Sequence, residues 1–408
     1  MKQIPIMKPY FDEAEINEIK KVLDTGWVAQ GPKVTEFEGI VAKHEGVQHA
    51  IATTSCTTAL HLSLVAMGAG PTHDIIVPSY TFVATANAVE YTGATAVLVE
   101  VDRSTYNIDL TWTENYIKNH YTTKDNKLVN NETGKELFGI VPVSLFGLCA
   151  DMPAVKELAQ KLNIRILEDN ACALGATIDG AHEGAFGNPA CLSFHPRKSI
   201  TTGEGGMILT NDEDLAKRAR ELRSHAASLS EVARHESKGY LLPEFNDLGF
   251  NYRMTDIQAA MGVAQMGKFD KMLETKQKKA ENYNNLLKNV PELIVPAVPT
   301  DYGHTYQSYV CMLDNEKMGL SVDDANLFRN RAMDFLETNG IATRQGTHAV
   351  HTLGFYKKKY GYKPQDLPVA YACDRLSLAI PFYFEMSDDD QEYVVEMLQK
   401  AFKAAANS

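Results

Sequence analysis

The most chemically suggestive stretch of the chain is Ser193-Phe194-His195-Pro196-Arg197-Lys198-Ser199-Ile200-Thr201-Thr202-Gly203-Glu204-Gly205-Gly206, a lysine just beyond an apolar run and before a glycine-rich turn. By spacing alone Lys198 reads as an ordinary surface cation, so its meaning depends on what faces it. Asp169 closes the apolar strand Ile164–Asp169, which puts a carboxylate at the carboxyl end of a central strand, where open α/β sheets hold their ligands. Without Lys198, that aspartate would read as a strand-end cap for the next helix. An amine and a carboxylate on one crevice are what pyridoxal chemistry needs. The amine forms a Schiff base and then moves a proton, while the anion keeps the pyridine nitrogen protonated so that the ring accepts electrons.

A dianionic phosphate needs a cradle of its own. Thr54-Ser55-Cys56-Thr57-Thr58-Ala59-Leu60 offers hydroxyls and free backbone amides where the first sheet strand turns into a helix. The same composition also makes a simple helix N-cap. It is not a Walker loop, because Lys198-Ser199 follows Arg197 rather than Gly and the GxxxxGK[ST] spacing is missing.

The elements that must position these groups alternate along the chain. Ile16, Ile19, Val22 and Leu23 recur at helical spacing up to Gly26, and a second amphipathic helix runs from Pro32 to about His44. Short apolar runs at His49–Thr53, Asp74–Pro78 and Ala96–Val101 then alternate with helical stretches at Ala59–Met67 and Val83–Tyr91. The pattern resumes with a strand at Ile140–Leu145, a helix at Asp151–Leu162, a strand at Arg165–Asp169, and strands near Cys191–Phe194 and Met207–Thr210. This is the pattern of one wound βαβ sheet over residues 45–215 with helices on both faces. The turn-rich stretch Thr122–Lys135 reads as a surface hairpin without a catalytic role, and Ser224–Asn246 reads as a mobile loop over a site. After Thr255 one long helix is expected to run to Leu287 and hand the chain to a smaller αβ unit ending in a helix at Asp388–Ala404.

Size and charge bound the reading. At 408 residues the chain exceeds the length at which single cores stop growing, so two domains are expected. Forty basic against fifty-two acidic side chains leave a net charge of −12, which disfavours non-specific binding to nucleic acid or anionic membrane. The N-terminus soon turns polar and no apolar run is long enough to cross a bilayer, so a cytoplasmic address is expected. Six scattered cysteines without CxxC pairs or clustered histidines point to free thiols, with no disulfide and no metal site.

Taken together, several separated segments resemble the DegT family of sugar-nucleotide aminotransferases over essentially the whole chain. They are Thr57-x-Ala59-Leu60-x-Leu62, Pro78-Ser79-Tyr80-Thr81-Phe82-x-Ala84-Thr85-x-Asn87-Ala88, Glu168-Asp169 with Leu174-Gly175-Ala176, Ser193-Phe194 with Lys198 and Thr202-Gly203-Glu204-Gly205-Gly206, and Gly249-Phe250-Asn251-Tyr252-Arg253-Met254. The resemblance implies the pyridoxal 5'-phosphate (PLP) transferase fold of type I. That fold would comprise a large domain over residues 1–260 with a mixed, mostly parallel seven-stranded sheet between helices, and a smaller α/β domain over residues 261–408. It implies that Lys198 forms the internal aldimine, Asp169 binds the pyridinium nitrogen, Phe82 stacks on the ring, and Ser193 with the backbone at Cys56 and Thr57 binds the phosphate. Asn251 would reach the phosphate of the neighbouring subunit's cofactor, which makes an obligate homodimer.

By the same resemblance Arg253 binds a nucleotide diphosphate, suiting its bidentate fork, and Arg344, His348 and His351 lie where the family meets its sugar. The implied reaction moves the amino group of glutamate onto a nucleotide-linked keto sugar, with Lys198 as the proton shuttle and its pKa brought well below the ordinary lysine value by cationic cofactor surroundings. A 4-keto-6-deoxy sugar destined for a surface polysaccharide or glycoconjugate is the expected substrate. Two rivals are a dehydratase branch, which typically carries histidine in place of the lysine, and a non-catalytic sensor, which has no need to keep both Lys198 and Asp169. One departure stands out: three residues after the aspartate the family usually carries Gln, His or Glu against the cofactor, and here Cys172 stands, read as a small buried packing residue.

Overall fold

The computed structural model describes residues 2–182, 184–186, 188–228 and 244–407, so the mobile loop expected at 224–246 falls mostly outside the described residues. Strands β1 (His49–Thr53), β2 (His73–Pro78), β3 (Thr95–Val99), β4 (Glu136–Ile140), β5 (Arg165–Ile166 and Glu168–Asp169, interrupted at Leu167), β6 (Ala190–Ser193) and β7 (Gly206–Thr210) lie side by side in the order β3-β2-β4-β5-β6-β7-β1. Neighbours are parallel except at β7, which runs antiparallel to both β6 and β1. The expected seven-stranded, mostly parallel sheet is therefore present.

Both faces of this sheet are covered, which is why its strands read as apolar runs rather than as alternating ones. Helix α1 (Glu13–Thr25) packs on α8 (Asp256–Met266), and α2 (Pro32–Glu45) lays Phe37 and Val41 against Ala52, Leu192 and Met207. On the opposite face α3 (Cys56–Met67) lays Leu60 and Leu64 against Ile51 and Ile208. Helices α4 (Ala84–Tyr91), α5 (Leu110–His120), α6 (Met152–Leu162) and α7 (Glu213–Arg223) complete the two layers. Helix α2 follows Gly31, which has no side chain to cap it. Asp256 caps it instead, its carboxylate accepting the N–H groups of Gly31 (2.8 Å), Lys33 (3.1 Å) and Val34 (3.0 Å).

Several boundaries differ from the sequence reading, each for a local reason. The strand expected at Ile140–Leu145 is Glu136–Ile140 instead. Gly139 disguised it, yet the glycine is needed because a Cβ there would meet the Arg165 carbonyl oxygen at 2.7 Å; past Pro142 the pairing with β5 thins to a single bridge, Val143 with Asp169. The long helix after Thr255 breaks at Gly267–Lys268 into α8 and α9 (Phe269–Leu286), with the Lys268 ammonium held by Asp12 and Glu15 of the α1 start. The hairpin in 122–135 is present as Tyr121–Lys124 paired antiparallel with Lys127–Asn130.

Beyond α9, strands Leu293–Ile294, Tyr309–Leu313 and Ser377–Ile380 form an antiparallel sheet. Helices α10 (Val322–Thr338), α11 (Gly354–Tyr360), α12 (Pro368–Leu376) and α13 (Asp388–Ala406) accompany it. The N-terminal segment joins this unit, since Ile4 bridges Ile341 and the Phe382 N–H donates to the Ile6 carbonyl at 3.0 Å. The division expected at residue 260 falls inside α8; we propose the break at Gly267–Lys268 as the division instead. All six cysteines are free, and no described helix is long and apolar enough to cross a membrane.

Candidate active site

The carboxyl ends of β5 and β6 open, with the start of α3, onto one cavity of about 630 Å³, a size typical of small-molecule sites. Cys56, Thr57, Phe82, Asp169, Cys172, Ser193, Lys198 and Arg344 all line it. Lys198 sits in the β6–β7 loop, which is pinned by Phe194 N–H to Gly205 O (2.9 Å), Thr202 N–H to Phe194 O (3.0 Å) and Lys198 N–H to His195 O (2.8 Å). From across the cavity the Gln307 side-chain amide donates to the Arg197 carbonyl at 2.5 Å.

Asp169 is buried and its two oxygens are held apart in role. Thr85 Oγ1 donates to Oδ2 at 2.7 Å and the Ala171 N–H donates to Oδ1 at 3.2 Å. Burial pushes this carboxyl above the ordinary carboxylate range, while Thr85, Ala171 and the Lys198 charge pull it down. The Lys198 ammonium donates to Cys172 Sγ at 3.0 Å. Cys172 is thus a half-buried cavity residue in contact with the lysine, not the buried packing residue expected. The protein's own groups hold Lys198 above the ordinary lysine range: burial works to lower it, and Cys172, Cys56 and Asp169 together outweigh that. The depression expected from the sequence is not built into these residues and has to come from a positive charge beside the amine.

Helix α3 starts at Cys56, earlier than its apolar spacing suggested, because Ser55 caps it: the Thr58 N–H donates to Ser55 Oγ, and the Ser55 N–H donates to Thr58 Oγ1. The first-turn amides of Cys56 and Thr57 have no helical acceptor and face an anion-binding end. Strand β7 passes so close that a Cβ on Gly206 would lie 2.4 Å from the Cys56 nitrogen. These residues fit pyridoxal phosphate: Cys56, Thr57 and Ser193 offer donors to a phosphate, Asp169 an anion for the ring nitrogen, Lys198 the amine, and Phe82, 62% exposed in the single chain, an apolar face.

Four expected residues lie outside the cavity lining. Asn251 is exposed and bridges Ser224, and the Arg253 guanidinium donates to Ser224 Oγ at 3.0 Å. His348 is exposed beside the strand pairing of His348–Ala349 with Tyr80–Thr81, and the neighbouring Gln345, Gly346 and Thr347 line the cavity in its place. His351 lies behind the cavity wall: it is fully buried, shares a 2.7 Å hydrogen bond with Ser79 Oγ, and burial lowers its pKa. Thr85, Arg197, Gln307 and Ser308 were not singled out, although Thr85 and Arg197 lie within the motifs that were.

A second lysine lies close behind. Lys276 of α9 is buried, with its ammonium 3.3 Å from the Gln307 carbonyl and over the Phe382 ring, and burial brings it down from 10.5 to about 7. An unfolded lysine keeps its proton to the ordinary value, so between about pH 7 and pH 10.5 the unfolded chain binds more protons and stability rises with pH. The full penalty is present below about pH 7. Lys276→Met is therefore expected to raise Tm by a few degrees at pH 7, since each pKa unit carries about 1.4 kcal/mol, and the gain should shrink towards pH 10. Thermal melts across that range check this, and a gain independent of pH would contradict it.

Comparison with known proteins fixes the class. A family model described as the DegT/DnrJ/EryC1/StrS aminotransferase family matches residues 9–399. The chain is 36% identical over 400 residues to GDP-perosamine synthase of Caulobacter vibrioides, covering 98% of each chain. It is 34% identical over 403 residues to the spore coat polysaccharide biosynthesis protein SpsC of Bacillus subtilis, again with 98% of each covered. The crystal structure of a DegT DnrJ EryC1 StrS aminotransferase from Brucella abortus superposes with a TM-score of 0.82 at 29% identity, covering 95% of each chain. With family-wide likeness running almost from end to end, the chain belongs to the DegT/DnrJ/EryC1/StrS aminotransferase family and is a pyridoxal-phosphate-dependent enzyme.

Proposed function

We propose that this enzyme moves the amino group of glutamate onto a nucleotide-linked keto sugar of the 4-keto-6-deoxy class, for polysaccharide or glycoconjugate synthesis. The observation that carries the reading is that Lys198 and Asp169 reach one cavity at the capped start of α3, with room for a ligand. Relatives named for GDP-perosamine synthesis and for spore coat polysaccharide biosynthesis support the sugar-nucleotide class.

When bound, pyridoxal phosphate supplies an electron sink and a carrier for the nitrogen. The chain's own residues do the rest. Cys56, Thr57 and Ser193 would hold the phosphate, Asp169 would keep the ring nitrogen protonated, and Phe82 would offer an apolar face to the ring. Lys198 would hold the cofactor through its amine and, once released, would serve as the base and acid that moves a proton at the reacting carbons. Cys172 at 3.0 Å leaves that amine with a soft, weak acceptor rather than a second carboxylate. Arg344 and Arg197, on the cavity wall, meet the negative ends of the two substrates. Asn251 and Arg253 serve a second copy of the chain, with exposed Asn251 reaching the partner's phosphate across a two-fold interface.

The test is to convert the cofactor to its amine form with glutamate, remove the amino acid, and offer a panel of nucleotide-linked keto sugars. One of the sugars is expected to restore the yellow absorbance stoichiometrically. Restoration by simple keto acids alone would refute the sugar substrate while leaving the enzyme class intact.

A further inference from the structure

Away from the cavity, the fold brings His182 to two adjacent residues, His44 and Glu45, from which the chain separates it by more than a hundred positions. His44 and Glu45 end α2, and His182 lies on the short strand Ala181–His182. One ligand atom from each of the three lies within 4.8 Å of the others. The His44 and His182 rings sit 5.2 Å apart, and Phe269 closes over His44 edge-on.

A proton on His44 does not satisfy this cluster. His44 Nδ1 lies 2.7 Å from Glu45 Oε1, and Nε2 lies 3.2 Å from Asp270 Oδ1 at the start of α9. That bridge uses one oxygen of each carboxylate. Glu45 is 1% exposed, yet among the described residues its second oxygen Oε2 has no partner, and neither has the buried Nδ1 of His182. A buried carboxylate oxygen and a buried imidazole nitrogen left unpaired each cost free energy. A single positive centre between them would remove both costs.

We propose that His44, Glu45 and His182 form a structural site for a borderline divalent cation of the zinc type, with water as the fourth ligand. Two imidazoles and a carboxylate match zinc's preference for nitrogen and oxygen donors at about 2.0–2.2 Å. Tetrahedral zinc spaces its ligands by about 3.4 Å, so the set closes with small rotations of the partly exposed histidines. The site would clamp the end of α2 to the strand at 181–182. That strand leads to Gly184, whose N–H holds Glu168 Oε2 at 2.9 Å, next in sequence to Asp169.

The experiment is a calorimetric titration of chelator-stripped, cofactor-loaded enzyme with zinc chloride. Parent enzyme is expected to bind one zinc per chain with micromolar or tighter affinity. His182→Ala, at a half-buried position outside the cavity, should weaken binding by at least tenfold while keeping the yellow absorbance. Glu45→Gln should do the same, and His120→Ala, on the distant α5, should not. Absence of saturable binding, or equal affinity in the parent and His182→Ala, would overturn the assignment.

Discussion

Lys198→Ala is expected to lower turnover by roughly 10³–10⁴-fold, because it removes both the amine that holds the cofactor and the group that carries the proton. Folding should survive, since the loop is held by backbone bonds at Phe194, Thr202 and Lys198 rather than by the side chain. The specific readout is chemical. Borohydride reduction of the parent enzyme followed by peptide mapping should place the label on Lys198, and the variant should take none. Lys276 is the rival worth naming, being buried and depressed to about 7. Its ammonium, however, is spent on the Gln307 carbonyl, and it does not line the cavity. Label on Lys276, or a Lys198→Ala enzyme within tenfold of the parent, would sink the assignment.

Asp169→Ala should reduce turnover by roughly 10²–10³-fold, the scale on which a preorganised electrostatic partner acts in a buried site. Thr85 also loses its acceptor in that variant, so Asp169→Asn is the cleaner companion: it keeps the shape and the Thr85 bond but cannot supply the negative charge. Both variants should still bind the cofactor, through Lys198 and the α3 cradle, and show a shifted absorbance. Near-parental turnover in both would mean that the ring nitrogen is held by another group.

The parts of the site legible in the sequence share one property: each sits where an apolar strand ends. Asp169 and Ser193 are the last residues of β5 and β6, and Ser55 follows β1. Strand periodicity alone thus puts Asp169, Ser193 and the start of α3 at one sheet edge. Gln307 and Ser308 carry no such signal, because they arrive on a turn whose Tyr306 has a left-handed backbone, φ 46°, and no periodicity marks their neighbours. Spacing brings two histidines near the site but does not say that a short turn, Val350–Thr352, rotates one of them into the core. The two lysines differ in the same way, since burial of Lys276 depends on Phe382 and Gln307, distant in sequence.

Asp256 has a consequence for the order in which the chain assembles. Helix α2 has no cap of its own at Gly31, and its first turn is closed by a carboxylate 222 to 225 residues further on. A contact of such separation forms late, after the loop entropy of the intervening chain has been overcome. On a ribosome adding about 5–20 residues per second, the start of α2 stays unclosed for roughly 10–45 s after it emerges. For that interval the N–H groups of Gly31 and Val34 lack the carboxylate that closes them in the finished fold, so the first turn of α2 is the last part of that helix to be fixed.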